Sequence, residues 1–359
     1  MPYPMKVIKG YVNTVPGIQV ATKWQGEITR KNDGTFVFNN DGVNLLKQLN
    51  VEWVMVQDAG LKKADDYRRL RVQIEDLGFK VYRIASNGLH NMPEITLNLP
   101  GRDEKIDQYL EYIANLGEAG VRYSTYAHMA NGIWEDDVRR PVRGGATARG
   151  LNLKFPNKGF WGQGKDRMAF EWPLSHGRKY SEEELWENYE YFIKKVKPVA
   201  ESAKVHIGIH PDDPPGIEMA GIPRKIFGTF EGYKKALEIA NSDYIGACLC
   251  VGCWLEGGKE LCGSSPEEFI RYFGSRNKLF KLHMRNVTAP LLSDEGFNET
   301  FPDAGYYNLI NVMKCLHEVK FDGAIMNDHL IDMVGGHNVC EAAFTSYLKG
   351  VIDTIQNKD

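Results

Sequence analysis

Nothing in this 359-residue chain approaches the unbroken apolar run of ~20 residues that a membrane-spanning helix requires. It also lacks an excess of either charge. Lys and Arg total 44 against 47 Asp and Glu, and a net charge of -3 gives no electrostatic reason to expect nucleic acid or an anionic membrane as partner. The start of the chain, Met1 to Lys6, carries no basic segment followed by an apolar stretch, so no secretory signal is read there and a cytoplasmic location is expected. Cysteine is sparse. Of the six, Cys250 and Cys253 form one CxxC, but no second pair exists, which excludes a zinc ribbon. Repeats, low-complexity tracts and a linker to a second domain are all missing.

What remains is ordinary globular composition, 43% hydrophobic and 25% charged. Eight segments read as strands: Lys6 to Val12, Val51 to Gln57, Lys80 to Ala85, Val121 to Ala127, Val205 to His210, Ile245 to Cys250, Leu279 to Met284 and Gly323 to Asn327. Most are nearly continuous apolar runs, the mark of parallel strands covered on both faces, and a helical pattern follows most of them. The expectation is an α/β fold, a (β/α)8 TIM barrel formed by residues 1–359 as a single domain. Two helix starts are explicit, because Ser181 to Glu184 and Ser265 to Glu268 each place a capping serine three residues before a glutamate. The alternation breaks between about Met129 and Lys179, where aromatic residues are too frequent for a disordered linker. This insertion after the fourth strand is expected to be a lid over the barrel mouth or a contact in a homo-oligomer, with Trp134 or Trp161 available to stack on a ligand.

Four of the strand-like runs close on a residue that binds metals: His210, Cys250, His283 and Asp328. Taken singly, each is an ordinary packed polar residue. A parallel barrel gathers its strand ends around one axis, so the four together can meet at one ion. Imidazole, thiolate and carboxylate mix soft and hard donors, which suits Mn²⁺, Fe²⁺, Co²⁺ or Zn²⁺ better than Ca²⁺. After His210 comes Pro211-Asp212-Asp213-Pro214-Pro215, where the prolines stop the strand and leave two carboxylates at the mouth. One of these is expected to serve the turn and the other the site, with Asp212 the catalytic candidate. Arg285, at the end of the seventh strand, offers a planar fork of donors to a carboxylate or hydroxyl. His329 directly follows Asp328, and an imidazole beside a cation can trade protons near neutral pH.

The string from His210 to Pro215, then Gly221-Ile222-Pro223-Arg224 and Phe230-Glu231, resembles D-mannonate dehydratases of the xylose-isomerase-like barrel superfamily. Leu249-Cys250-Val251-Gly252, Leu282-His283-Met284-Arg285 and Asp328-His329 are similar too. The resemblance covers the chain from about Pro198 to Leu330. It implies a metal-dependent hydro-lyase (dehydratase) acting on a sugar acid, an Mn²⁺-type ion on His210, Cys250, His283 and Asp328, and proton transfer by His329. Departures accompany the matches. Where the dehydratases read Arg-Pro-Asp-His-Gly-His, this chain has Met326-Asn327-Asp328-His329-Leu330-Ile331, so an arginine and a second histidine are missing. The family's tyrosine before its last Leu-Lys-Gly has no counterpart at the same spacing, since Tyr347 abuts Leu348. His337, Arg139, Arg140, Arg143 or Arg149 are the expected substitutes, and mannonate itself is expected to be a poor substrate. Tyr126 stands as a second candidate for proton transfer. A metal-dependent sugar isomerase or epimerase, or a non-catalytic sugar-binding barrel, remain the alternatives.

Overall fold

The computed structural model describes residues 17–58, 60–162 and 167–356. Eight parallel strands form the central sheet: β1 (Gln19–Lys23), β2 (Trp53–Gln57), β3 (Lys80–Ala85), β4 (Tyr123–Ala127), β5 (His206–His210), β6 (Ile245–Cys250), β7 (Leu279–Met284) and β8 (Ala324–Asn327). Their order is β3-β2-β1-β8-β7-β6-β5-β4. The two end strands approach each other, and the loop after β3 closes the seam, with a parallel bridge from Asn91 to Ala127 and the Ala127 N–H donating to the His90 carbonyl at 2.7 Å. The result is a nearly closed (β/α)8 barrel. Every residue of β4, β6, β7 and β8 is buried, as continuous apolar runs require when helices cover one face and the barrel interior the other.

Helices α1 (Asn40–Gln48), α2 (Ala64–Asp76), α3 (Arg102–Glu118), α4 (Glu182–Ala203), α5 (Phe230–Ala240), α6 (Val251–Cys262), α7 (Pro266–Ser275), α8 (Leu309–Glu318) and α9 (Gly336–Gln356) wrap the strands. Both expected capping boxes form, at Ser181 with Glu184 and at Ser265 with Glu268. None of the described helices is long and apolar enough to cross a membrane.

One local reading needs correction. The segment Lys6 to Val12 lies outside the described residues, and the first barrel position is taken by Gln19–Lys23, whose Gln19 and Thr22 weaken its apolar pattern. Cys253 sits in the first turn of α6, which begins directly after β6 with Cys250 as its N-cap. The stretch between β4 and α4 is folded: Ile133–Asp136, Asn157–Trp161 and Met168–Phe170 pair as an antiparallel sheet, and Gly150–Leu151 pairs with Phe297–Thr300.

That segment is bolted to the loop after β5. Arg224, 1% exposed, donates to the Asp213 carbonyl at 2.7 Å and to the Asn131 side-chain oxygen at 2.6 Å, while the Trp134 N–H donates to the Asp213 carbonyl at 3.2 Å. Position of the mouth loop and position of the insertion are therefore set by the same bonds.

Candidate metal centre and its ion-pair network

His210, Cys250 and His283 close or nearly close β5, β6 and β7, and Asp328 follows β8, so the parallel register delivers them to one end of the barrel. One donor atom from each lies within 4.8 Å of all the others. Two ligands on opposite sides of one ion, each at about 2.0–2.4 Å, stand no farther apart than that. The chemistry of the donors agrees with the geometry. His210 Nδ1–H donates to the Pro211 carbonyl at 2.7 Å, which leaves Nε2 as a lone pair, and this nitrogen is 3.1 Å from His283 Nδ1. Two imidazole nitrogens at this separation are better served by a shared cation than by each other. His283 Nδ1 is also 3.3 Å from Asp328 Oδ1, and Cys250 Sγ is 3.3 Å from Asp328 Oδ2. Burial opposes ionisation of Cys250, but the Cys253 thiol and the Arg285 guanidinium hold it well below the usual thiol range, favouring the thiolate that metals bind. The residues present can hold a metal ion.

Beside this cluster lies a buried network of charges that the sequence did not reveal. Arg285 is 2% exposed and spends its guanidinium inside the protein: Nε reaches Asp328 at 3.1 Å, Nη1 reaches Glu299 at 2.7 Å and also pairs with Glu256, and Nη2 reaches Asp213 at 3.2 Å. The same Nη2 contacts Cys250 Sγ at 3.6 Å and Cys253 Sγ at 3.3 Å. Contrary to expectation, no part of this fork is left for a substrate. Arg149, from the insertion, is a second hub, pairing with Asp213 at 2.9 Å, Glu256 at 2.6 Å and Glu299 at 2.7 Å. Burial would raise the Asp213 carboxyl, but Arg149, Arg285 and His329 keep it below its ordinary value. Burial raises Glu256 to about 8 against the pull of Arg285, with Asp213 adding to the rise. Glu299 is held far down, burial notwithstanding, by His329, Arg149 and Arg285.

His329 stands at the edge of this network, its side chain 26% exposed toward the mouth. Nδ1 is 2.6 Å from Glu299 Oε1 and Nε2 is 3.9 Å from Asp328 Oδ1. Burial alone would lower its pKa, yet Asp328 and Glu299 outweigh it and the imidazole is raised above its ordinary value. Asp212 has a different setting from its neighbour. Its N–H donates to the Phe227 carbonyl at 3.3 Å, and burial pushes its carboxyl up to about 7 against Arg224 and His210. It is Asp213 that meets Arg149 and Arg285.

The other candidates disperse. Of the insertion arginines only Arg149 joins the site; Arg139 pairs with Asp332, Arg140 with Asp136 and Arg143 with Asp303, and His337 is exposed at the start of α9. Tyr126 packs its ring against Tyr109, Phe192 and His128 in the helix layer. Trp134 is fully buried and cannot stack on a sugar, whereas Trp161 lies flat on His90 with ring centroids 5.0 Å apart. A cavity of about 520 Å³ bordered by Tyr272, Arg276 and Lys278 is at the N-terminal end of β6 and β7 and shares no residue with the metal donors.

A parallel barrel with convergent donors at the strand ends has the same fold as a xylose isomerase-like TIM barrel protein from Mycobacterium smegmatis, which superposes with TM-score 0.56 at 12% identity over 94% of this chain and 97% of that one. A solved mannonate dehydratase from Streptococcus suis superposes with TM-score 0.76 at 24% identity, covering 96% of this chain and 95% of the other. D-psicose 3-epimerase from Clostridium cellulolyticum superposes with TM-score 0.54 at 11% identity over 95% of this chain and 98% of that one, a likeness of fold alone. The family model described as D-mannonate dehydratase (UxuA) matches residues 57–358. Mannonate dehydratase of Streptococcus pneumoniae is 32% identical over 275 residues, 72% of each chain, and that of Thermotoga neapolitana is 31% identical over 294 residues, 74% of this chain and 77% of the relative. The chain belongs to the D-mannonate dehydratase family, the sugar-acid hydro-lyases.

Proposed function

We propose that this protein dehydrates a sugar acid at the barrel mouth, with an Mn²⁺-class ion held by His210, Cys250, His283 and Asp328 and with His329 as the proton donor. The observation that carries this reading is the juxtaposition of the four donors with His329, whose Nδ1 is tied to Glu299 at 2.6 Å. When bound, the ion supplies Lewis acidity to the substrate oxygens and so acidifies the C–H beside the carboxylate. The residues supply the rest. Glu299 accepts Nδ1–H and fixes the ring, which turns Nε2 to the mouth. From there His329 delivers a proton to the hydroxyl on the carbon next to the one whose C–H proton passes to a base at the mouth. The C–O bond breaks, the hydroxyl departs as water, and the enol left behind takes a proton at that carbon and gives up its O–H proton, which returns both groups to their starting states and leaves a 2-keto-3-deoxy acid. Arg285 bonds Cys250 and Asp328 in place and touches no substrate. The insertion serves as the cover of the mouth, fastened by Arg149 and Arg224 and presenting Trp161, and the working form is a homo-oligomer in the cytoplasm.

The test is His329→Asn, assayed by formation of 2-keto-3-deoxy product from a panel of sugar acids that includes D-mannonate. Metal content should be retained while turnover drops by about 10²–10⁴-fold, the usual share of general acid-base catalysis. Turnover within a few-fold of wild type would move the proton donor elsewhere. A panel that yields isomerised sugars and no keto-deoxy acid would favour the isomerase reading instead.

A further inference from the structure

With Arg285 fully engaged, the substrate carboxylate needs another partner. Among the described residues, Lys281 and Arg83 are cations inside the barrel that no carboxylate pairs with. Lys281 is 0% exposed on β7, two residues before His283, and side chains two apart on a strand share a face, so it lies directly beneath that metal donor. Arg83, 5% exposed, comes from β3 on the opposite arc. Both reach the same atom, Sδ of Met55, at 3.7 Å from Lys281 Nζ and 3.4 Å from Arg83 Nη1.

Their remaining contacts contain no negative charge. Arg83 Nη2 meets the Thr125 carbonyl at 2.8 Å and His90 Nδ1 at 2.7 Å, and Arg83 Nε has no hydrogen-bond partner. Among the described residues no carboxylate comes within ion-pair distance of either cation, whereas the equally buried Arg149 and Arg285 are each paired with several. A buried charge without a counterion costs several kcal/mol, and two like charges converging on one thioether make matters worse. A fold that keeps such a pair at its active end is completed by an anion from outside.

The surroundings say where that anion sits. His90, held by Arg83, has its ring centroid 6.5 Å from that of His210, and Trp161 covers the other face of His90 with its indole N–H unpartnered. The cations, the donor cluster and an aromatic roof with a spare donor thus border one region. We infer that Arg83 and Lys281 bind the carboxylate of the sugar acid, whose hydroxylated chain runs from there toward the donor cluster and His329. This inference rests on the dehydratase reading for the identity of the ligand, but not for the existence of an oxyanion site.

The experiment is calorimetric titration of the Mn²⁺-loaded protein with D-mannonate, with neutral D-mannitol and with inorganic phosphate, in wild type, Lys281→Met, Lys281→Gln and Arg83→Met. Wild type should bind mannonate and not mannitol. Each substitution should weaken mannonate by about 10–100-fold, the worth of one charged hydrogen bond, and leave metal stoichiometry unchanged. Unliganded Lys281→Met should melt no lower than wild type, because an uncompensated charge has been replaced by an apolar chain of similar length. Mannonate bound equally well by wild type and the folded variants would overturn the assignment. If wild type binds mannonate through these residues yet forms no keto-deoxy product, the dehydratase reading fails and the subsite stands. Phosphate bound by wild type and lost in the Lys281 variants, with no mannonate binding, supports an oxyanion site for another substrate, and binding of neither anion overturns it.

Discussion

Glu299→Gln isolates the link between the buried network and the chemistry. One oxygen, Glu299 Oε1, receives Arg149 at 2.7 Å, Arg285 at 2.7 Å and His329 at 2.6 Å, in a side chain only 3% exposed. Because Glu256 is raised to about 8, Glu299, Asp213 and Asp328 supply most of the negative charge facing the two arginines. Removing one of the three leaves the cations under-compensated. Breaking a buried pair costs about 3–5 kcal/mol, and since an amide oxygen can still accept from two of the three donors, the lower end, about 3 kcal/mol, is expected. For a chain of this size that lowers the melting temperature by roughly 4 °C. The effect on turnover is separate. His329 loses the acceptor that fixes its Nδ1–H, and loss of such a partner is worth about 10–100-fold in activity. None of the four metal donors contacts Glu299, so metal content should hold. Calorimetry, metal analysis and keto-deoxy product formation on one preparation decide the matter. A folded, metal-loaded Glu299→Gln protein with turnover within twofold of wild type would refute the claim that Glu299 positions His329.

Two further outcomes follow from the geometry. Cys250→Ser removes the soft donor, so Zn²⁺ and Co²⁺ affinity should fall more than Mn²⁺ affinity in competitive titrations; equal losses would mean that the site had collapsed. His128 is 7% exposed among Tyr126, Tyr189 and Phe227, its Nε2 has no partner, and burial lowers it to about 3. With the unfolded imidazole near 6.5, the unfolded state takes up the proton first, so stability present above pH 6.5 is lost as pH falls toward 3, by about 2 kcal/mol at pH 5. His128→Phe should flatten that part of the stability curve measured by denaturant titration; an unchanged slope would rule His128 out as its source.

Most of the barrel was legible because parallel strands buried on both faces leave long apolar runs. Strands β3, β6 and β7 begin and end where their runs do. Gln19–Lys23 was not, since its polar residues imitate a loop, and α6 was hidden because it starts with no turn between it and β6. The convergence of His210, Cys250, His283 and Asp328 could be read for a geometric reason, each marking the end of a strand. Glu256, Glu299, Lys281 and Arg83 carry no such mark. A lone charged residue in an apolar run has the same appearance whether it snorkels to water or is buried in an ion pair, and only tertiary structure tells which. Arg285 shows the limit from the other side, since its position at a strand end was right and its use was not. The same holds for the adjacent aspartates, where register alone could not say that Asp213, and not Asp212, meets the arginines.

The network around Arg285 joins Arg149 from the insertion, Asp213 after β5, Glu256 in α6, Glu299 in its short strand and His329 after β8. These residues span nearly half the chain, and each contact closes a long loop whose entropy must be met before the contact gives anything back. Local pieces of the barrel can form early, but this cluster can exist only once the last strand is seated. The metal donors share that late arrival, because Asp328 lies beyond the same strand. During synthesis, therefore, these side chains meet only after the C-terminal elements emerge.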